Sequence, residues 1–280
     1  MPYSYLKVDS HDGVCTITLH DPDTRNALGQ EMAEELMDAL DRFEDDPESR
    51  VLLLTGTEPS FCSGANVRGF SKDISEQGSA PTSGPLPWGD MEAQLSSRER
   101  TDRALAARVP LRIYELQKPS IAAVNGHAVG VGMGLALSCD IRLASEKAVF
   151  SEAFVKMGLI PGDGSCWQLP KLIGLSNTLL LQYTGDRIDG AEAYRLGLVS
   201  KVFPDGQLMD AAAELAHRLA QGPVRSMSLI KYLVHKSLDL SFRESMELAH
   251  TAQQVARGTE DHAEAVKAFL EKRPPAFKGR

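Results

Sequence analysis

Short apolar runs alternate with polar turns through the first part of the chain. Leu6–Val8 and Val14–Leu19 flank the turn His11-Asp12-Gly13 and are predicted as strands. Asp21–Leu28 reads as a polar loop. Gln30–Phe43 then places Met32, Leu36, Leu40 and Phe43 at helical spacing, so one face of a helix packs on a sheet. Arg50–Thr55 is the next strand, and its Val51–Thr55 (VLLLT) is apolar enough to be buried on both faces. These units read β-β-α-β, and the same alternation returns at Ser120–Ala144.

In that second block Ser120–Val124 is a buried strand, and Asn125-Gly126 closes it with a turn signal. Gly130, Gly132 and Gly134 follow at every second position, and Leu135–Ser138 continues with helix-compatible residues. Between the two blocks, Ser71–Asp90 carries Gly78, Pro81, Gly84, Pro85 and Pro87 among small polar residues. It is expected to be a long loop acting as a lid over a substrate pocket, because helix-compatible Met91–Gln117 returns to the same core. Beyond Val202 the pattern becomes helical throughout. Gln207–Leu219, Val224–Leu238, Phe242–Arg257 and Asp261–Glu271 are predicted helices, separated by Gly222-Pro223, Ser241 and Gly258. The expected division is a core over 1–203 and a helical region over 204–280, whose several apolar faces suit an oligomer interface.

Composition narrows the possible functions. A chain of 280 residues with 42% hydrophobic and 24% charged residues is that of an ordinary globular protein able to bury a large core. No apolar run approaches the roughly 18 residues of a membrane span. The opening MPYSYLKVDSHDG lacks the apolar core of a signal peptide, so a cytoplasmic location is expected. A net charge of −8 argues against non-specific nucleic-acid binding, though not against one polyanionic small ligand held by local cations. Cys15, Cys62, Cys139 and Cys166 are far apart and the histidines form no cluster, so reduced thiols and no metal site are expected.

A glycine cluster between a strand and a helix lets a ligand approach bare backbone, with N–H groups and a helix N-terminus aimed at it. An oxygen bearing negative charge is the natural guest. A dinucleotide loop is one such device, and Tyr114 with Lys118 even makes a Y-x-x-x-K pair. The order is wrong for that chemistry, since the pair directly precedes the strand and Lys118 abuts Pro119, which disfavours helix. The other chemistry needs a second N–H donor from elsewhere. Phe61-Cys62-Ser63-Gly64-Ala65-Asn66, after the VLLLT strand, is the candidate.

With these segments in view, the chain resembles the crotonase (enoyl-CoA hydratase/isomerase) superfamily. The resemblance rests on Arg25-Asn26-Ala27-Leu28, FCSGANV, KPSIAAVNGHAVGVGMGLALSCDIRLAS, GLIPGDG, AEAYRLGLVSKV and AVKAFLEKRPPAF, in the family's order and spacing. It implies an α/β spiral of repeated β-β-α units with a C-terminal helical oligomerisation region, forming a homotrimer or a dimer of trimers. It implies an acyl-CoA substrate, with coenzyme A entering as part of that substrate and no separate cofactor. Ala65 and Val131 hold the positions whose backbone N–H groups form the family's oxyanion hole for the thioester carbonyl. Arg25, Ala27, Asn66 and Val67 match segments that touch the nucleotide and pantetheine. Phe269 and Lys272 match a tail that reaches a neighbouring subunit's ligand.

The catalytic acids depart from that pattern. The family's hydratases use two glutamates, and the matching positions are Gly134 and Phe154. Asp163, in Ile160-Pro161-Gly162-Asp163-Gly164, stands one residue after a position where the family's isomerases and dehalogenases often carry an aspartate. It is either the acid/base or a helix cap. Glu152 reads as a surface charge or cap, and His127 as a core histidine that could serve as a base. Trp88, Asp90, Tyr114 and Trp167 are candidates for the acyl pocket. The leading reading is an enoyl-CoA isomerase with one carboxylate as base. The alternatives are a hydratase with displaced acids, an acyl-CoA or C–C hydrolase, and a non-catalytic acyl-CoA-binding member.

Overall fold

The computed structural model describes residues 2–66 and 105–280. Its strands are β1 (Leu6–His11), β2 (Val14–Leu19), β3 (Val51–Gly56), β4 (Ser60–Cys62), β5 (Ser120–Val124), β6 (His127–Val129), β7 (Ile141–Ser145), β8 (Val149–Ser151), β9 (Arg187–Asp189) and β10 (Lys201–Phe203). The helices are α1 (Gln30–Asp45), α2 (Leu105–Tyr114), α3 (Val131–Ser138), α4 (Ser165–Ile173), α5 (Leu175–Thr184), α6 (Gly190–Leu196), α7 (Leu208–Ala220), α8 (Val224–Ser237), α9 (Phe242–Arg257) and α10 (Glu260–Glu271). The expected loop over Ser71–Asp90 lies outside the described residues. Among those residues, no helix is long and apolar enough to cross a membrane.

Two sheets share the strands. One runs β1-β2-β3-β5-β7-β10 and the other β4-β6-β8-β9. From β3 to β8 the chain visits the sheets alternately, so each turn of a spiral lays one strand in each. The neighbours β2/β3, β3/β5 and β5/β7 are parallel, as are β4/β6 and β6/β8. Thr55 Oγ1 donates to Ala123 O at 2.9 Å and Asn125 Nδ2 to Gly56 O, stitching one turn to the next.

Both faces of the larger sheet are covered, which is why its central strands read as continuous apolar runs rather than alternating ones. In β3, Leu52 and Leu54 enter the main core with Met32, Leu36, Leu40 and Phe43 of α1. Val51 and Leu53 point the other way, against Leu208, Ala212, Ala216 and Ala220 of α7. Helix α7 is thus a layer of the spiral core, although the sequence groups it with the C-terminal helices. Its small alanines at helical spacing let it lie close on the sheet.

Asp21–Leu28 is a loop, but its last three residues are buried rather than solvated. The segment forms a 3₁₀ turn over Pro22–Thr24, and then Arg25 and Asn26 adopt left-handed φ values of 58° and 61°. Asn26 is fully buried: its amide donates to Thr57 O and Ser60 O, each at 2.7 Å, and accepts from Asp21 N–H. A side chain that satisfies three backbone groups at once behaves as a core element. Strand β6 is also missing from the sequence reading. It is three residues long, and only its pairing with β4 and β8 makes it a strand. Lys118, half of the Y-x-x-x-K pair, caps the end of α1, its ammonium donating to Phe43 O and Asp46 O at 2.7 Å each.

Candidate active site

The site forms where the start of α3 meets the segment after β4. Leu28 N–H donates to Gly64 O and Asn66 N–H to Leu28 O, a parallel bridge centred on Leu28 and Ala65. In such a bridge the central residue's own N–H points away from the partner strand. Ala65 therefore turns its N–H away from Leu28. Val131 is the first residue of α3, and the first N–H groups of a helix have no acceptor within it. Gly132 lets these two segments approach. A Cβ there would fall 2.8 Å from Cys62 Cβ and closer still to Cys62 O. The spacing of glycines along 130–134 thus reflects contact with the β4 segment.

Asp163 sits over Gly134, one turn into α3. A Cβ on Gly134 would lie 2.8 Å from both Cβ and Cγ of Asp163, and nearer again to Oδ2. The carboxylate occupies the space that any side chain at 134 would need. Asp163 is 4% exposed. Its Oδ1 accepts the Ser165 N–H at 3.1 Å, while Oδ2 is buried without a hydrogen-bond partner. Cap and acid are therefore not exclusive for this residue, because one oxygen holds the start of α4 and the other is left over. Burial pushes its pKa above the usual carboxylate range, against the lowering effect of the Ser165 N–H. The other vacated position, Phe154, puts its ring 3.5 Å from where a Cβ on Gly130 would be, an apolar wall beside the start of α3.

Glu152 corrects the sequence reading most sharply. It is neither a surface charge nor a cap. Only 1% of it is exposed, and it makes no capping bond to the 3₁₀ turn Ala153–Met157 that it precedes. Its Oε2 accepts the Ser165 hydroxyl at 3.0 Å, and its Oε1 has no partner. Burial first, and the Asp163 charge second, push its pKa up to about 8. Sequence reasoning missed it because one acidic letter beside a polar serine looks solvated. The available signal was its setting between the apolar letters of VFSEAFV, at the end of a buried strand.

Tyr114 and Trp167 meet edge to face with ring centroids 5.4 Å apart. With Pro110, Leu111, Asp163 and Gln168 they line a cavity of about 610 Å³. Tyr114 also stacks on His235 of α8 at 4.4 Å. His127 lies in β6 with Nδ1 buried and unpartnered. Arg25 is exposed, whereas Ala27 is buried beside the bridge and Asn66 flanks it. Phe269 (83% exposed) and Lys272 lie at the end of α10, which packs on α9. A single chain thus leaves both facing solvent. Val67, Trp88 and Asp90 fall outside the described residues. Among the described residues, no three His, Cys, Asp or Glu side chains gather as a metal-ligand set.

A spiral that alternates strands between two sheets and packs a glycine-entered helix against a second strand end defines the crotonase fold. A family model described as enoyl-CoA hydratase/isomerase matches residues 9–85 and 89–280, so the chain belongs to that family. It is 36% identical over 268 residues to a 1,2-epoxyphenylacetyl-CoA isomerase of Escherichia coli strain K12, covering 96% of each chain. It is 31% identical over 278 residues to a crotonyl-CoA hydratase of Syntrophomonas wolfei, covering 99% of each. An enoyl-CoA hydratase structure from Bacillus anthracis superposes with a TM-score of 0.85 at 29% identity, covering 99% of this chain and 100% of that one.

Proposed function

We propose that this enzyme moves a double bond in an enoyl-CoA, carrying a proton between C2 and C4 on Asp163. The observation that carries the reading is the Asp163 carboxylate lying over Gly134, with one oxygen anchored by the Ser165 N–H and the other unpartnered. A single base that both takes and returns a proton needs this division: one oxygen for position, one for chemistry.

The thioester carbonyl accepts from the Ala65 and Val131 N–H groups. Asp163 Oδ2 takes the C2 proton; the C–H bond breaks, an O–H bond forms, and the electron pair moves towards the thioester oxygen. The two backbone donors and the N-terminal end of α3 stabilise that charge as it develops. The dienolate then collapses as Asp163 returns the proton at C4, leaving the double bond in conjugation. Arg25, Ala27, Asn66 and Val67 hold the coenzyme A portion. Phe269 and Lys272 serve the ligand of a neighbouring copy in a homotrimer or dimer of trimers. This assembly is supported by the exposed Ile230, Val234, Phe242 and Leu270 on α8–α10.

The buried carboxylate of Glu152 favours a second reading, addition of water to a 2-enoyl-CoA with both acids displaced from the hydratase positions. The assay separates the two by sign at the absorbance of the conjugated thioester. A 3-enoyl-CoA gains that absorbance under isomerisation, and crotonyl-CoA loses it under hydration. Turnover of crotonyl-CoA alone would reject the isomerase reading. Asp163→Asn keeps the bond to Ser165 N–H and cannot take a proton, so isomerisation falls by roughly 100-fold or more. Normal turnover by that variant would remove Asp163 from the mechanism.

A further inference from the structure

Two buried carboxylates converge on one residue. Ser165 gives its N–H to Asp163 Oδ1 and its hydroxyl to Glu152 Oε2, and it is itself fully buried. Each carboxylate keeps one buried oxygen without a partner. Glu152 and Asp163 are 1% and 4% exposed, and two anions cannot be desolvated side by side in such a place. Among the described residues, no Lys, Arg or His forms an ion pair with either carboxylate. The surrounding elements offer little else. Helix α3 carries no ionisable residue, and α5 contributes the neutral Gln182, whose amide donates to Ser165 Oγ. Cys166 on α4 has its thiol pushed up, by burial first and by both carboxylates second. Tyr114 on α2 lines the same cavity as Asp163, and Lys156 and Arg187 on the adjoining turn and strand are exposed.

We propose that Glu152 and Asp163, bridged by Ser165, form a dyad that holds one proton, with Glu152 a positioning residue that keeps the Asp163 anion over Gly134. The backbone N–H at Oδ1 favours leaving the charge on Asp163, so the proton rests on Glu152. A second buried charge on Glu152 would push Asp163 out of place. In a turnover the dyad goes from one proton to two as C2 loses its proton, then back to one as C4 gains it. The Glu152 proton is not consumed. This inference deepens the proposed function and rests on Asp163 being the base there.

Glutamine at 152 imitates the protonated acid at every pH, so Glu152→Gln separates this role from a packing role. With a 3-enoyl-CoA, wild-type kcat is expected to fall on an alkaline limb as Glu152, its pKa pushed up to about 8 by burial, loses its proton. Glu152→Gln should work within about threefold of wild type at neutral pH and lose that limb. An absent wild-type limb, a limb that survives in Glu152→Gln, or a folded Glu152→Gln with no activity at any pH would each overturn the dyad. The last of these would mean that the carboxyl of Glu152 itself exchanges protons. A measurement independent of activity and of that variant is urea unfolding of wild type and Asp163→Asn across the same range. The wild type should lose stability through pH 8, and removing the neighbouring charge should move that loss to lower pH. Coincident pH dependences would also overturn the dyad. If Asp163→Asn turns over normally, the base assignment fails, whereas the unfolding comparison still reads the dyad separately.

Discussion

Alanine at Gly134 is the most direct test of where the carboxylate stands. Its methyl group would lie 2.8 Å from Cβ and Cγ of Asp163, about 1 Å inside an ordinary carbon–carbon contact. Rotation about χ1 swings Cγ and the oxygens away but leaves Cβ 2.8 Å from the new methyl group, so the Asp163 loop itself must shift. Among the described residues nothing lies within 4 Å of a Cβ built on Gly162, which gives the loop room to do so. Overpacking of this size costs about 1–3 kcal/mol, and alanine returns up to about 1 kcal/mol in helix propensity. Net destabilisation is therefore small, on the order of 0–2 kcal/mol, and the variant folds. A displacement of about 1 Å at the base costs turnover roughly 100-fold. The assay is formation of conjugated thioester from a 3-enoyl-CoA, with urea unfolding alongside. Gly132→Ala is the contrast, because its clash is with backbone at Cys62 that cannot rotate aside, so it should lose stability markedly. Rates within threefold of wild type for folded Gly134→Ala would show that the carboxylate is not needed where it stands.

Three further outcomes follow from the same geometry. Ala65→Pro deletes one N–H donor while the hydrogen bonds of Leu28 to Gly64 and Asn66 can remain, so turnover should fall by about 100-fold or more; a circular-dichroism spectrum like wild type with near-normal rate would remove Ala65 from the mechanism. The folded-state pKa of Glu152 lies above that of a free carboxyl group. Its contribution to stability is thus complete below about pH 4.5 and lost as pH rises through about 8. Glu152→Gln should remove that loss, on the order of a few kcal/mol, and parallel urea-derived stability curves for the two proteins would contradict it. Truncation after Gly222 keeps α7 on the sheet and strips α8–α10, so the remainder should be smaller in assembly number by light scattering; an unchanged oligomer would refute the assignment of those helices to the interface.

Periodicity along the chain carried the central strands, α1 and the C-terminal helices, because each depends on residues close in sequence. Phe242–Arg257 was bounded by local signals alone, with Ser241 and Glu244 forming a capping box. Glycine spacing pointed to close backbone approach along 130–134 for the same reason, whereas Ala65 and Val131 were singled out by resemblance to the family. The placement of α7 was not legible there: its apolar face resembles those of the neighbouring helices, and only the sheet beneath it distinguishes a core layer from an exposed face. The acids were least legible of all. Gly134, Glu152, Asp163 and Ser165 come from different elements, and their meeting depends on the spiral closing over α3. Whether a carboxylate is a surface charge, a cap or a proton carrier is set by desolvation and by which groups face it. Both are properties of the folded surroundings, which is why one acidic letter at 152 read as solvated and proved buried.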